Sequence, residues 1–169
     1  MGPVTADAFF ERYFSALNRR DPALIPDLYT TDIEFRDDGW PEVIYGHAGM
    51  TQFLSALWRA LPDCTFDLVE GPYWSEDGRS AGLRLRLSGT LRGSFDPPGF
   101  APTNTMVSTE VAAFYEVDGE LVRRARVIAN MNDVGTQIGA APPPGSAGER
   151  LAVVLQRLKA RSMRRRASS

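Results

Sequence analysis

One cysteine and one histidine in 169 residues restrict the chemistry of this chain at once. Cys64 alone builds neither an internal disulfide nor a cysteine metal cluster, and a buried thiol without function is its expected state. His47 alone rules out a multi-histidine site; a carboxylate site for magnesium stays formally open, but neither metal nor cofactor is expected. It precedes a helix, where a histidine serves either as a proton shuttle or as an exposed N-terminal residue. Long hydrophobic runs are also missing. None approaches the roughly 18 to 20 apolar residues of a membrane span, and the N-terminus lacks the basic and apolar regions of a signal peptide. A cytoplasmic protein without a membrane partner is the expectation. Nucleophile motifs, Gly-rich phosphate loops and dinucleotide fingerprints are absent as well.

What is present is ordinary soluble composition, 43% hydrophobic and 24% charged, at a length that suits one core. The net charge of -2 hides an asymmetry: residues 1–146 carry -8 and residues 147–169 carry +6. Arg161, Arg164, Arg165 and Arg166 have the sign for nucleic acid, but no aromatics interleave them, so no nucleic-acid partner is expected.

The apolar spacing divides the chain. Phe9, Phe10, Tyr13, Phe14 and Leu17 predict a helix starting at Thr5, whose hydroxyl would cap it. Asp21-Pro22 stops it and opens a second helix with Leu24, Ile25, Leu28 and Tyr29 buried. Ile33 to Arg36 reads as a strand, and Met50, Phe53, Leu54, Leu57, Trp58 and Leu61 as a third helix ended by Pro62. From Cys64 the period becomes two, giving strands around Phe66-Leu68, Leu83-Leu87, Val107-Tyr115 and after Gly119. The proline-rich interval Phe95 to Pro102 is a loop over a cavity. Three helices followed by an antiparallel meander imply an α+β domain, with the helices packed on one face of a curved antiparallel sheet.

Residues 1–140 form that domain, 141–146 a proline-rich linker, and 147–169 a C-terminal amphipathic helix with a basic tail. Ser146 and Glu149 have capping-box spacing. The stripe Leu151, Val154, Leu155 and Leu158 is costly to leave in water, so it should dock on its own body or on a second subunit, with only the end beyond Ser162 loose. A homodimer is expected.

Candidate site residues gather where strands end. Asp37 and Asp38 are adjacent on extended chain, so at most one faces inward; beside Trp40 and Tyr13 its carboxyl would be desolvated and suited to acid or base work, and the alternative is an Asp-Gly turn capped by its own side chain. Asn130 ends the last strand with Asn132 and Asp133, and Asp133 either caps the next turn or takes part in the chemistry. If Asn130 points inward, strand parity turns Arg126 and Arg124 inward too, and Arg126 then needs Asp37 or Asp38 as partner. The alternative is an outward polar face at a dimer interface. Tyr13, Phe14, Trp40, Met50, Phe53, Trp58, Trp74 and Phe100 are the candidates for a substrate-binding wall.

Several local sequences, in order, resemble the SnoaL-like group of the nuclear-transport-factor-2-like superfamily, with relatives among ketosteroid isomerases and limonene epoxide hydrolases. They are Asp38-Gly-Trp-Pro41 with Gly46, Pro62-Asp63, Gly89-Thr-Leu-Arg-Gly93, Gly99-Phe-Ala-Pro-Thr103, Asp118-Gly119 and Gln137-Ile-Gly139. The resemblance implies a cone-shaped curved antiparallel sheet with three N-terminal helices enclosing a deep pocket. SnoaL-like cyclases often carry an acid/base Asp near the end of the last strand, and Asn130 falls at one such position. That is a departure, since a neutral amide takes no proton from carbon. Three functions follow: a cofactor-independent cyclase or isomerase acting on a hydrophobic polyketide-, terpenoid- or steroid-like small molecule; an epoxide hydrolase or epoxide-opening cyclase using Asp37 or Asp38 with Arg126; and a non-catalytic binding or assembly module.

Overall fold

A computed structural model describes residues 3–167. Helix α1 (Pro3–Asn18) starts two residues before the predicted Thr5, because proline is tolerated in a first helical turn. The Thr5 hydroxyl lies outside the described side chains. A 3₁₀ turn, Pro22–Leu24, follows, and its N-cap Asp21 accepts a hydrogen bond from the Ala23 N–H. Helix α2 (Ile25–Leu28) is a single turn. Tyr29 is not on it, as the sequence pattern suggested; it takes extended backbone and opens β1 (Tyr29–Asp37), which is longer than the predicted Ile33–Arg36. A short β2 (Ile44–Tyr45) leads into α3 (Gly46–Ala60).

The meander is β3 (Thr65–Trp74), β4 (Ser80–Thr90), β5 (Met106–Asp118) and β6 (Leu121–Ala129). Two helices close the chain, α4 (Met131–Gln137) and α5 (Ala147–Ala167). All six strands join one curved, unclosed sheet in the order β2-β1-β6-β5-β4-β3. The β1–β6 pair is parallel, so the sheet is mixed rather than wholly antiparallel. A parallel pair needs a long crossover, and here everything between β1 and β6 supplies it.

Alternation sorts the two faces. Leu83, Leu85, Val111, Ala113, Tyr115 and Ala125 are buried against α1 and α3, whereas Arg84, Arg86, Glu110, Phe114 and Arg124 face out. Cys64 is a buried free thiol whose titration burial pushes up to about 11.

Helix α5 departs from expectation. Leu151, Val154, Leu155 and Leu158 are 50–60% exposed, so the stripe is not docked on its own body. Ser146 and Glu149 do form the start motif: the Glu149 N–H donates to Ser146 Oγ, and the Glu149 carboxylate accepts from the Gly145 N–H. The start is therefore local and survives without packing. The helix also continues through Ala167 rather than loosening at Ser162. The side chains of Arg161, Arg165 and Arg166 lie outside the described ones.

Candidate active site

A cavity lies between the helices and the inner face of the sheet. Tyr13, Phe14 and Leu17 of α1 form one wall, Phe53, Leu54 and Leu57 of α3 another, and Tyr29, Phe35, Leu85, Thr109 and Tyr115 rise from the strands. Phe95 and Phe100, paired by a β-bridge in the proline-rich loop, lie across it with Met131, Val134 and Ile138 from the α4 region. Among the described residues lining it, Asp37 alone is charged.

Asp37 ends β1 with its side chain inward, and Asp38, one residue on, faces out. The Asp37 Oδ1 accepts a hydrogen bond from the Gly39 N–H at 2.7 Å. A Cβ at position 39 would stand 3.0 Å from that oxygen, so a larger residue there would push the carboxylate by a few tenths of an ångström. Burial pushes the Asp37 carboxyl up to about 6; the Gly39 hydrogen bond and the distant Arg126 oppose that rise, and Asp38 adds to it. An acid that titrates near neutrality in an apolar cavity is equipped to move a proton.

Three phenols share the cavity. Tyr13 and Tyr29 hydroxyls are 2.7 Å apart, and the Tyr13 ring lies 5.7 Å from that of Tyr115. Burial raises all three phenols well above their ordinary value, so they remain neutral donors throughout the working pH range. One of the three hydroxyl hydrogens serves the Tyr13–Tyr29 bond, so the cluster keeps hydroxyl hydrogen to offer to a ligand oxygen.

The structure redistributes the remaining predicted residues. Arg126 points outward, where it pairs with Asp38, and Asp38 also accepts from the Ala129 N–H. The inward residues of β6 are Ala125, Val127 and Ala129, so the parity drawn from Asn130 is reversed. Asn130 is exposed and lies beyond the strand: its side chain caps α4 by accepting from the Asp133 N–H. Asp133 is held by Gln137 Nε2, which also bridges to the Ser108 carbonyl, and neither Asn130 nor Asp133 lines the cavity.

His47 donates from Nε2 to the Tyr29 carbonyl at 2.8 Å, a strut under the phenol rather than a shuttle into the cavity. Of the predicted aromatic wall, Tyr13, Phe14, Phe53 and Phe100 line the cavity. Trp40 stands behind it, edge-on to Phe53 and Phe95. Met50 and Trp58 are core of α3, and Trp74 packs on Phe9 and Phe10. Tyr29, Phe35 and Thr109 were missed as site residues; the alternation of β5 through Thr109, Val111 and Tyr115 was the available signal for Thr109.

A SnoaL-like domain profile matches residues 10–125, which spans both walls of this cavity and the strand bearing Asp37. The chain belongs to the SnoaL-like domain family. Solved structures carry the same fold. A SnoaL-like protein from Jannaschia sp. CCS1 assigned as a polyketide cyclase is 17% identical, with a TM-score of 0.69 over 85% of this chain and 98% of that one. AclR from Streptomyces galilaeus, assigned as a hydroxylase, is 20% identical with a TM-score of 0.69 over 94% of this chain and 98% of that one. SalBIII, an epoxide hydrolase/cyclase-like enzyme of pyran ring formation in the polyether salinomycin, is 20% identical with a TM-score of 0.62 over 76% and 93%. No curated protein matches the chain. Among the described residues no helix is long and apolar enough to cross a membrane, and no three His, Cys, Asp or Glu side chains are grouped to hold a metal ion.

Proposed function

We propose that this SnoaL-like protein is a cofactor-independent cyclase or isomerase that moves a proton on a hydrophobic, polyketide-, terpenoid- or steroid-like small molecule. The observation that carries the reading is the lone carboxylate in an apolar cavity. Ionised Asp37 takes a proton from carbon beside a substrate carbonyl. The phenol hydrogen left over in the Tyr13–Tyr29–Tyr115 cluster meets the oxygen on which negative charge develops. Apolar walls exclude water and strengthen both interactions.

The epoxide-opening alternative needs an acid and an arginine around one water. Arg126 spends its guanidinium on Asp38 at the outer face, which weighs against that mechanism. The test is deuterium wash-in to a bicyclic ketone such as 2-tetralone in heavy water. The protein should accelerate exchange above buffer, and Asp37→Asn should lower the rate at least about tenfold. Ketone binding without accelerated exchange would leave a binding module, and Asp37→Asn exchanging as fast as the parent would remove Asp37 from the chemistry.

A further inference from the structure

Thr109 carries the one aliphatic hydroxyl that the described part of the fold buries, with 5% of the residue exposed. The inward positions of β5 run Val107, Thr109, Val111, Ala113 and Tyr115, so threonine interrupts an apolar row. Strand propensity does not call for it, since valine has the same branched shape and suits a strand as well. The hydroxyl has no hydrogen-bond partner among the described residues, and a buried hydroxyl left unpaired is unfavourable. The other buried groups without partners, Thr30 Oγ1 and the indole nitrogens of Trp58 and Trp74, belong to residues off the cavity, whereas Thr109 lines it. Water is poorly suited to the place. A buried water typically holds about three hydrogen bonds, and the neighbours of Thr109 on the inner face, Leu87, Val107 and Val111, are apolar.

Strand register sets Thr109 far from the carboxylate and the phenols. Asp37 pairs with Val127 and Val127 with Ala113, so Ala113 is level with Asp37 two strands away. Thr109 lies four residues before Ala113 and Tyr115 two residues after it, with no register shift between them. At about 4.8 Å between strands and 3.4 Å per residue, the backbones of Asp37 and Thr109 stand about 17 Å apart, and those of Tyr115 and Thr109 about 20 Å. The order along the cavity is phenols, carboxylate, threonine.

We propose that Thr109 anchors a second oxygen of the substrate, so that the molecule this cavity takes is elongated, apolar in its middle and oxygenated at both ends. One oxygen, a carbonyl, meets the phenols beside Asp37, which rests on the proton-transfer reading above. The other, a hydroxyl or carbonyl, meets Thr109 at the end where the proline-rich loop leaves β4 and Gln137 of α4 bonds to the neighbouring Ser108. The gap between the two anchors, shortened by the inward curve of the sheet and the length of the phenol side chains, suits a skeleton of three or four fused rings rather than two.

A matched pair of ketones tests this: androstan-3-one and 17β-hydroxyandrostan-3-one, which differ only in the far hydroxyl. By equilibrium dialysis the parent should bind the hydroxylated ketone at least about tenfold more tightly, the effect of one added hydrogen bond. Thr109→Val should bring the two affinities together, and Thr109→Ser, which keeps the hydroxyl, should retain most of the preference. Without ligand, Thr109→Val should melt at or above the temperature of the parent, because it removes an unpaired hydroxyl. Equal binding of the two ketones by the parent, binding of neither, or a preference that survives Thr109→Val overturns the proposal. A lower melting temperature of the free Thr109→Val chain also overturns it, by giving the hydroxyl a partner within the fold. Failure of the proton-transfer reading looks different: neither ketone exchanges deuterium faster than in buffer, while the preference that depends on Thr109 persists and upholds the anchor.

Discussion

Asp37 makes the protein less stable as pH rises. Its folded value of about 6 exceeds the unfolded value of about 3.9. Between those values the folded state holds a proton that the unfolded chain has released, so stability falls through that window and stays lower above it. Two pK units set an upper limit of about 3 kcal/mol. Asp37→Asn, whose amide oxygen still accepts from Gly39, should therefore gain about 1–2 kcal/mol over the parent at pH 8 and little below pH 4, as read by urea denaturation. An equal difference at both pH values would mean that Asp37 is not desolvated. Exchange activity should rise with pH through about 6 and then level off, because the ionised form is the base. Tyr13→Phe keeps the ring but removes one phenol from the cluster; about a tenfold loss of exchange rate with nearly unchanged ketone affinity is expected.

Helix α4 corrects the reading at the scale of elements. The resemblance places Asn130 where relatives carry an acid, but the side chain is exposed and engaged in capping. Asn130→Ala should cost about 1 kcal/mol, the usual loss of a cap, with less than a twofold change in exchange rate. Asn130→Asp should cap as well and change neither. A gain of activity in Asn130→Asp, measured by the same wash-in assay, would return this position to the mechanism. The sequence revealed helices and strands wherever periodicity was long, as in α3 and β5. It could not choose between Asp37 and Asp38, because alternation shows that neighbours oppose but not which of them faces the core. Asn130 escapes the alternation for a related reason: parity stops where the strand stops, one residue earlier. Tyr29 reads as helical in the sequence because one turn of apolar spacing looks alike in a helix end and a strand start.

For the whole molecule, the order of elements carried the fold while the site depended on distant pairings. Asp37 of β1 lies beside Val127 of β6, and Tyr13 of α1 beside Tyr115 of β5. No local window contains such a pair. Charge separation between body and tail was legible at once, yet the exposed α5 was not, because a stripe announces a need for cover without saying who provides it. Salt is the measurement suited to this scale: raising it from about 0.05 to 0.5 M should leave the melting temperature within about 2 °C, since most ion pairs on the sheet are exposed.

The parallel joining of β1 to β6 also sets an order in time. Asp37 is made 90 residues before Val127, its neighbour in the sheet. At roughly 5–20 residues per second, β1 waits on the order of 5–20 s on the ribosome without the strand that completes its inner side. During that wait the apolar residues of α1 and β1 have no finished sheet to cover, and a strand edge stands open to other chains. The cavity is thus closed only once β6 and α4 have been made. Its synthesis should depend more on holding chaperones than its modest length suggests, and slowing elongation between β1 and β6 should raise the fraction that aggregates.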